Sequence, residues 1–516
     1  MKKGNSAEME RRGVIRLEKT LPVKLDVPDS AIRGDALEAL SRNIGEDGVF
    51  IETDMVQEES LKLVKEMILD LEIELLGQGG RIRPRGEIVW ISKKSRSPQK
   101  KKNGIGIRFV HISAQEKKAI SIFISKEMLA QSEFLEKEIP LISRVQKATD
   151  RQRRNLEILD TIRKNRLISR AEISKNTNVN IVTVSNYIDG YLKKGLVFER
   201  GLDISTGGRR PELVEINPQY GYVLGVDLGR LNREASLMQV VATDFTTRVL
   251  AKASGARDNM SIEDSLDSLK DLISGVLLDE RVERKRVRGI GLSICGIMDK
   301  FGGTVCNPLD GSTVANYVTI KKELESEFSL PVFVENSANC ALFAERWTGL
   351  SLEVKAADNI LYIFSDNQCA IMLRGELYSG ASKSAGQISF AQPRNNSNHQ
   401  NGEFCWMNPS FDCILRSGIV DFSKAAGSKE AAVNEGAKLG AKVAYLVNVF
   451  NPQVVVVSRC LAQLGDPFLD GIRRTVNRWS YRESANIMRI IPATLSEEAC
   501  ALGAASLVIE TVFANI

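Results

Sequence analysis

Two short motifs near the start of the chain carry residue types able to contact charged groups. Arg11-Arg12-Gly13-Val14-Ile15-Arg16 sets Arg12 and Arg16 at an R-x-x-x-R spacing, just ahead of the first expected strand. Asn43-Ile44-Gly45-Glu46-Asp47-Gly48 brings a side-chain amide and two glycines to the opening of another strand. Guanidinium groups offer planar forks of donors that match phosphate oxygens two at a time. A third group is defined by charge. Residues 144–210 hold 15 basic and seven acidic side chains, against 25 and 23 in residues 1–143 and 30 and 35 in residues 211–516. The overall net charge of +5 therefore hides one short segment of +8. Such a segment suits the phosphate backbone of a nucleic acid, and a solvated linker would carry the same composition.

The elements that must position these groups can be read from periodicity. In residues 1–130, alternating apolar runs (Leu21–Leu25, Gly48–Ile51, Gly86–Ile91, Gly104–Val110) lie between Gly, Asn, Asp and Pro clusters. That pattern predicts a small antiparallel barrel or sandwich, interrupted by a helix near 58–65. The tract Ser92–Asn103, with six Lys/Arg, reads as a solvated hairpin loop. Residues 131–150 read as a helical linker. In residues 151–211, Leu156, Ile158, Leu159 and Ile162 recur at helical spacing, and Ser169 with Glu172 forms a capping box for a second helix. A turn at Asn176–Val179 leads to a third helix from Asn180 to Lys194, which Gly195 stops before a strand at Leu196–Arg200.

That order predicts a winged helix-turn-helix whose third helix enters the major groove of double-stranded DNA. Asn180, Thr183, Ser185 and Asn186 are its candidate base readers, with Val179, Val184 and Ile188 facing inward. Arg151, Arg153 and Arg154 suit phosphates. Arg209 and Arg210, after Gly207-Gly208, suit a minor-groove arm or a plain linker. Residues 212–516 alternate strands with long helices, the pattern of an α/β fold. Strand ends near Asp227 and Asp366 hint at a duplicated lobe.

With these residues in place, the N-terminal segment resembles a PilZ domain over its full length. The resemblance implies a six-stranded barrel that binds cyclic di-GMP through Arg11, Arg12, Arg16, Asn43, Gly45 and Gly48. Arginine forks fit guanine O6/N7 edges, phosphates and purine faces. Gly45 stands where that family has Ser, so one hydroxyl is lost and weaker binding is expected.

Residues 150–516 resemble the ROK family (repressors, open reading frames, kinases). The resemblance rests on Gly207–Pro211, Gly225-Val226-Asp227-Leu228-Gly229, Leu330–Asn336, Gly375–Ala381 and Gly503-Ala504-Ala505. It implies an actin-like (ribonuclease H-like) two-lobed sugar-kinase fold, and the repressor branch places a winged helix-turn-helix in front. The kinase residues fail position by position. Family kinases read Glu-Asn-Asp, with the Asp as general base; this chain reads Glu335-Asn336-Ser337, and Ser cannot take that proton near neutral pH. The family's Gly-Glu-Ile-Gly-His becomes Gly386-Gln387-Ile388-Ser389-Phe390.

The zinc loop becomes Cys405 to Cys413 without matching spacing, leaving His399, Cys405 and Cys413 as donors, so zinc is not expected. The phosphate loop reads Ser365-Asp366-Asn367-Gln368-Cys369-Ala370, and Ser458-Arg459 replaces a glycine pair near the adenosine site. No catalytic residue and no required cofactor are expected, while Glu335, Asn336 and Gln387 remain candidate contacts for a sugar effector. A dimerisation scaffold is the alternative use of this half.

The expected protein is a cytoplasmic DNA-binding transcription regulator that senses cyclic di-GMP, assembled as a homodimer or homotetramer and free of membrane. The eight cysteines all follow residue 290, include no Cys-x-x-Cys pair, and read as packing residues. An active hexose kinase, and a nucleotide-responsive adaptor whose winged domain contacts protein, are the alternatives.

Overall fold

The computed structural model describes residues 16–18, 20–26, 37–52, 65–75, 80–92, 104–138, 149–202, 212–230, 236–257, 261–262, 264–299, 302–307, 312–388 and 420–516. The chain divides into two compact units near residue 135.

In the first unit, Leu37–Gly45, Pro22–Asp26, Ile68–Leu75, Arg85–Ser92, Gly104–His111 and Gly48–Glu52 pair in that order, all antiparallel. Gly48–Glu52 then pairs back onto Leu37–Gly45, closing a six-stranded barrel. Strict alternation drives closure: Leu69, Leu71, Ile73 and Leu75 all point into the core while their neighbours face out. Phe50 and Trp90 stack at 5.0 Å between ring centroids. The helix Ala114–Glu138 starts where the Glu116 carboxylate accepts from Ser113 N and Arg83 N. It lays Ile120, Phe123 and Ile124 on the barrel core. The helix expected near 58–65 lies in part outside the described residues; Lys65 is in a turn.

The second unit opens with three helices, Asp150–Asn165, Arg170–Thr177 and Ile181–Lys193. The capping box at Ser169 forms as expected, with Ser169 Oγ accepting from Glu172 N and Glu172 accepting from Ser169 N. A second box, Thr149 with Gln152, opens the first helix. Strands Val197–Leu202 and Glu212–Ile216 form an antiparallel pair, and the latter also pairs with Ile168–Ser169.

Two five-stranded sheets follow. The first runs Val249–Ala256, Leu237–Asp244, Tyr222–Asp227, Val287–Ile294, Val332–Asn336. The second runs Glu376–Leu377, Cys369–Leu373, Ile360–Ile363, Val454–Val457, Arg489–Pro492. Each has the chain order third, second, first, fourth, fifth, so the lobes repeat one topology. The helix Leu266–Leu277 follows the third strand of the first sheet. Ser261 Oγ accepts from Asp264 N, which makes a turn before the helix.

One apolar cluster joins the three helices to the α/β part of the second unit. Ile158, Ile173 and Ile188 of the three helices belong to the same apolar cluster as Phe245, Trp347 and Phe513 of the α/β part. The helix Ala499–Ala514 lies on the first sheet at glycine distance. A Cβ on Gly225 would stand 1.9 Å from Ala501 O, and one on Gly291 would stand 2.2 Å from Ala504 O.

Candidate functional sites

The barrel places the ligand-binding candidates around one hairpin. Arg16 pairs with Gly45 and Glu18 with Asn43, so the strand Arg16–Glu18 lies directly beside the asparagine motif. Arg11 and Arg12 lie outside the described residues. The motif does not merely open a strand: Asn43 and Gly45 end one strand, Glu46-Asp47 makes the turn, and Gly48 starts the next. Asn43 is half-buried. Gly48 has a structural duty of its own, because a Cβ there would stand 2.2 Å from Ile107 O. Its place in the motif is thus fixed by barrel packing as well as by any ligand.

On the helix Ile181–Lys193, Val184 and Ile188 are fully buried and Val179 packs against the same core, as their spacing requires. The four candidate readers differ in what they have to offer. Asn180 is the N-cap, and its Oδ1 accepts from Val182 N at 2.8 Å. Its amide oxygen is therefore committed to the helix, a use the N-cap preference already signalled. Thr183 and Ser185 are half-buried, and Asn186 lines a cavity with Arg151, Tyr187 and Lys194. Ile181 and Val182, at the helix start, are exposed at 43% and 65%. Exposed apolar side chains there suit thymine methyls, a role that residue polarity alone does not signal. Arg151, Arg153 and Arg154 are all exposed. Arg209 and Arg210 lie outside the described residues.

In the α/β part, Asp227 sits at the end of the first strand and is buried. Burial pushes its carboxyl up to about 6, while the hydroxyl of Ser293, donating at 2.8 Å, pulls it back down. Ser337 Oγ stands 2.8 Å from Ser293 Oγ and 3.4 Å from Asp227 Oδ1. The Ser337 hydroxyl is therefore held between Ser293 and the buried Asp227 carboxyl.

Of the three sugar candidates, two are engaged internally. Glu335 Oε1 accepts from Asn336 N at 2.8 Å and Asn339 Nδ2 at 2.9 Å, and burial raises its carboxyl. Asn336 donates to Gly296 O at 2.7 Å, and its Oδ1 caps Ala338 N and accepts from Gln368 Nε2. Gln387 differs, because its Oε1 is buried without a hydrogen-bond partner. Gln368, in the segment Ser365–Ala370, pairs with Gln387 across a short antiparallel bridge and reaches Gly296 O at 3.4 Å. It joins the loop of the second lobe to the first.

No group of three or more metal-ligating side chains occurs among the described residues; His399, Cys405 and Cys413 lie outside them. Among the described residues, no helix is long and apolar enough to cross a membrane.

Comparison with known proteins agrees with this architecture. The model of the ROK family matches residues 223–414 and 412–511, and that of the PilZ domain matches residues 10–126. The xylose repressor of Caldicellulosiruptor bescii is 28% identical over 398 residues, which is 70% of this chain and 96% of that protein. The xylose repressor of Bacillus subtilis is 28% identical over 374 residues, covering 68% and 94%. Among solved structures, a ROK family transcriptional regulator described as a homologue of the Escherichia coli MLC protein superposes with a TM-score of 0.54 at 17% identity. It covers 70% of this chain and 97% of its own. The chain belongs to the ROK family and carries a PilZ domain at its N-terminal end.

Proposed function

We propose that this protein is a sequence-specific DNA-binding transcription regulator of the ROK type, that its PilZ domain senses cyclic di-GMP, and that its kinase activity is lost. The observation that carries the DNA-binding reading is the helix Ile181–Lys193. It follows a capped helix and a tight turn, precedes a two-stranded wing, and exposes its first turn at Asn180, Ile181 and Val182. Arg151, Arg153 and Arg154 flank it as phosphate contacts. Named repressors among the relatives support the same reading.

Loss of kinase chemistry follows from Ser337, which offers no base and is already hydrogen-bonded to Ser293. A sugar effector is a secondary element of the proposal, supported by the unpaired Gln387 Oε1. Ligand gathered by Arg12 and Arg16 would order the N-terminal arm on the barrel and alter the segment 117–147 that leads to the DNA-binding helices.

Gel-shift titration at several salt concentrations tests the DNA reading, since affinity must fall steeply with salt. A salt-insensitive or absent shift would favour the protein-contacting adaptor. Calorimetry with cyclic di-GMP, on wild type and the Arg12→Ala/Arg16→Ala variant, tests the sensor; unchanged binding in the variant refutes it. Linkage then requires operator DNA and cyclic di-GMP to change each other's affinity by one common factor.

A further inference from the structure

A cavity of about 260 Å³ lies where the helices Asp150–Asn165 and Ile181–Lys193 meet the end of the helix Ala499–Ala514. One wall is a single face of the helix Ile181–Lys193, on which Asn186, Tyr187, Gly190 and Tyr191 recur at one-turn spacing. Gly190 is the unexpected member, because glycine is a poor residue inside a helix. It has no left-handed dihedral to satisfy, and a Cβ built on it would meet nothing within 4 Å. At Gly225 and Gly291 a Cβ would strike the backbone of a packed helix; at Gly190 neither conformation nor close packing calls for glycine. What its missing side chain does is widen the cavity.

The groups around that space are of two kinds. Tyr187 and Tyr191 present aromatic rings with centroids 6.1 Å apart and planes tilted by 53°. Tyr191 is buried, and its hydroxyl donates to Asn155 Oδ1 at 2.7 Å, which fixes the ring. The Tyr187 hydroxyl and the Asn186 amide make no hydrogen bond among the described residues. The second kind is cationic. Burial raises the Tyr191 hydroxyl and Arg151 opposes that rise, so the guanidinium lies within electrostatic reach of the ring's polar end. Arg151 makes no ion pair among the described residues. Lys194 commits one of its three donors to Ile516 O and keeps two. Two exposed cations thus border one cavity, and no carboxylate side chain stands among the described residues that line it.

We infer that this cavity binds a small aromatic carboxylate, its ring laid against Tyr187 and Tyr191 in the space left by Gly190 and its charge held by Arg151 and Lys194. Tyrosine rings favour a flat partner through offset and edge-on contacts. The guanidinium fork takes a carboxylate two oxygens at a time, and the ammonium adds a second charge-assisted donor. The volume lies just under the ~300–1,000 Å³ typical of larger organic ligands, so one ring fits and two do not. Asn186 offers an amide to a polar substituent on that ring. Arg151 and Asn186 are also candidate DNA contacts, so an occupant would compete with DNA for both. That consequence rests on the DNA-binding reading; the site itself does not.

The test titrates the full chain, free of DNA, with benzoate as the probe, followed by calorimetry and by ligand-observed proton NMR. Wild type should show one saturable site. Benzamide, which keeps the ring without the charge, should bind at least tenfold more weakly, and cyclohexanecarboxylate, which keeps the charge without the flat ring, severalfold more weakly. Arg151→Ala should weaken benzoate about tenfold, and Arg151→Lys less, because the charge survives without the fork. Gly190→Ala is the decisive variant, since its two effects have opposite signs. It should raise the melting temperature through better helix propensity and weaken benzoate at least fivefold by filling the cavity. Absence of a saturable benzoate site in wild type overturns the assignment, as does unchanged affinity in Gly190→Ala or equal binding of cyclohexanecarboxylate. Saturable benzoate binding by a chain that gives no gel shift supports this site and counts against the DNA-binding reading alone.

Discussion

Arg163 offers the sharpest test of how the helices Asp150–Asn165, Arg170–Thr177 and Ile181–Lys193 are fastened to the rest of their unit. It lies in the last turn of the helix Asp150–Asn165, and its side chain is only 6% exposed. The guanidinium donates to Trp347 O at 2.9 Å and to Asp160 Oδ1 at 3.0 and 2.7 Å. It also lies 4.1 Å from the centroid of the Trp347 ring. Arg163→Ala removes all of this at once. The Trp347 carbonyl loses a charged donor, worth about 1.5–3 kcal/mol, and the ring contact adds about 0.5–2 kcal/mol. Asp160 is penalised by burial, and Arg163 then Lys164 more than offset that penalty. In the variant it keeps Lys164 at 2.7 Å, so no isolated charge is left behind.

The expected loss is therefore about 3 kcal/mol rather than the larger cost of a fully orphaned ion. Urea unfolding followed by tryptophan fluorescence reads it directly, because Trp347 belongs to the joint. Arg163→Lys should recover less than half of the loss, since it retains charge but neither the fork nor the flat stack. A loss below about 0.5 kcal/mol in Arg163→Ala, the level of a surface pair, would refute the claim that this joint holds the helices in place.

Three further predictions concern other positions. Burial pushes the Glu510 carboxyl up to about 8, with Asp160 adding to the effect and Arg163 opposing it. The folded chain thus holds a proton that the unfolded chain releases above about pH 4.3. Stability should fall as pH rises toward 8, by up to ~1.4 kcal/mol per unit, and Glu510→Gln should flatten that slope in melts across pH. Ser337→Asp places a second carboxyl beside Asp227, so the variant should lose about 2 kcal/mol and gain no ATP turnover over a sugar panel. Measurable turnover would mean that Ser337 alone had silenced a kinase. Gly48→Ala drives a Cβ into Ile107 O and should destabilise the barrel by about 1–3 kcal/mol, read by thermal melting with and without cyclic di-GMP. A melting temperature unchanged by this substitution would return Gly48 to a purely ligand-binding role.

Legibility in the sequence followed how local each signal is. The Ser169–Glu172 capping box and the inward set Val184 and Ile188 depend on neighbours within one or two turns, and each could be placed from residue types. Ile68–Leu75 alternates strictly but directly follows the segment whose pattern suggests a helix, and in Leu37–Gly45 the Glu, Ser and Arg break the apolar alternation. The change of Ser for Asp at 337 was visible in the motif; its hydrogen bond to Ser293, 44 residues away, was not. Asn180 shows a local signal with two readings, since the same short amide caps helices and reads adenine, and the cap won. Arg230 shows the opposite case. Nothing in Gly229-Arg230-Leu231 says that the guanidinium faces an enclosed cavity, because that is decided by Phe364 and by the helix at 499, far along the chain.

That helix also joins the cavity at Arg230 mechanically to the helices Asp150–Asn165 and Ile181–Lys193. At its start, Cys500 lines the cavity and its Sγ donates to Ser337 O at 3.6 Å. At its end, Ala514 O accepts from Asn155 Nδ2 at 3.3 Å, and Asn155 Oδ1 in turn accepts from Tyr191 of the helix Ile181–Lys193 at 2.7 Å. Asn515 Oδ1 accepts from Gln152, and Ile516 O accepts from Lys194. Sixteen residues span roughly 24 Å, so one rigid element touches both places. Its backbone is seated on Gly225 and Gly291 with no room for a Cβ, and interfaces packed that tightly shift as bodies rather than bend. A ligand that moves the first turn must therefore either break those glycine contacts or carry Asn155, and with it Tyr191, along. Only a ligand that binds the two positions of the helix unequally can bias them.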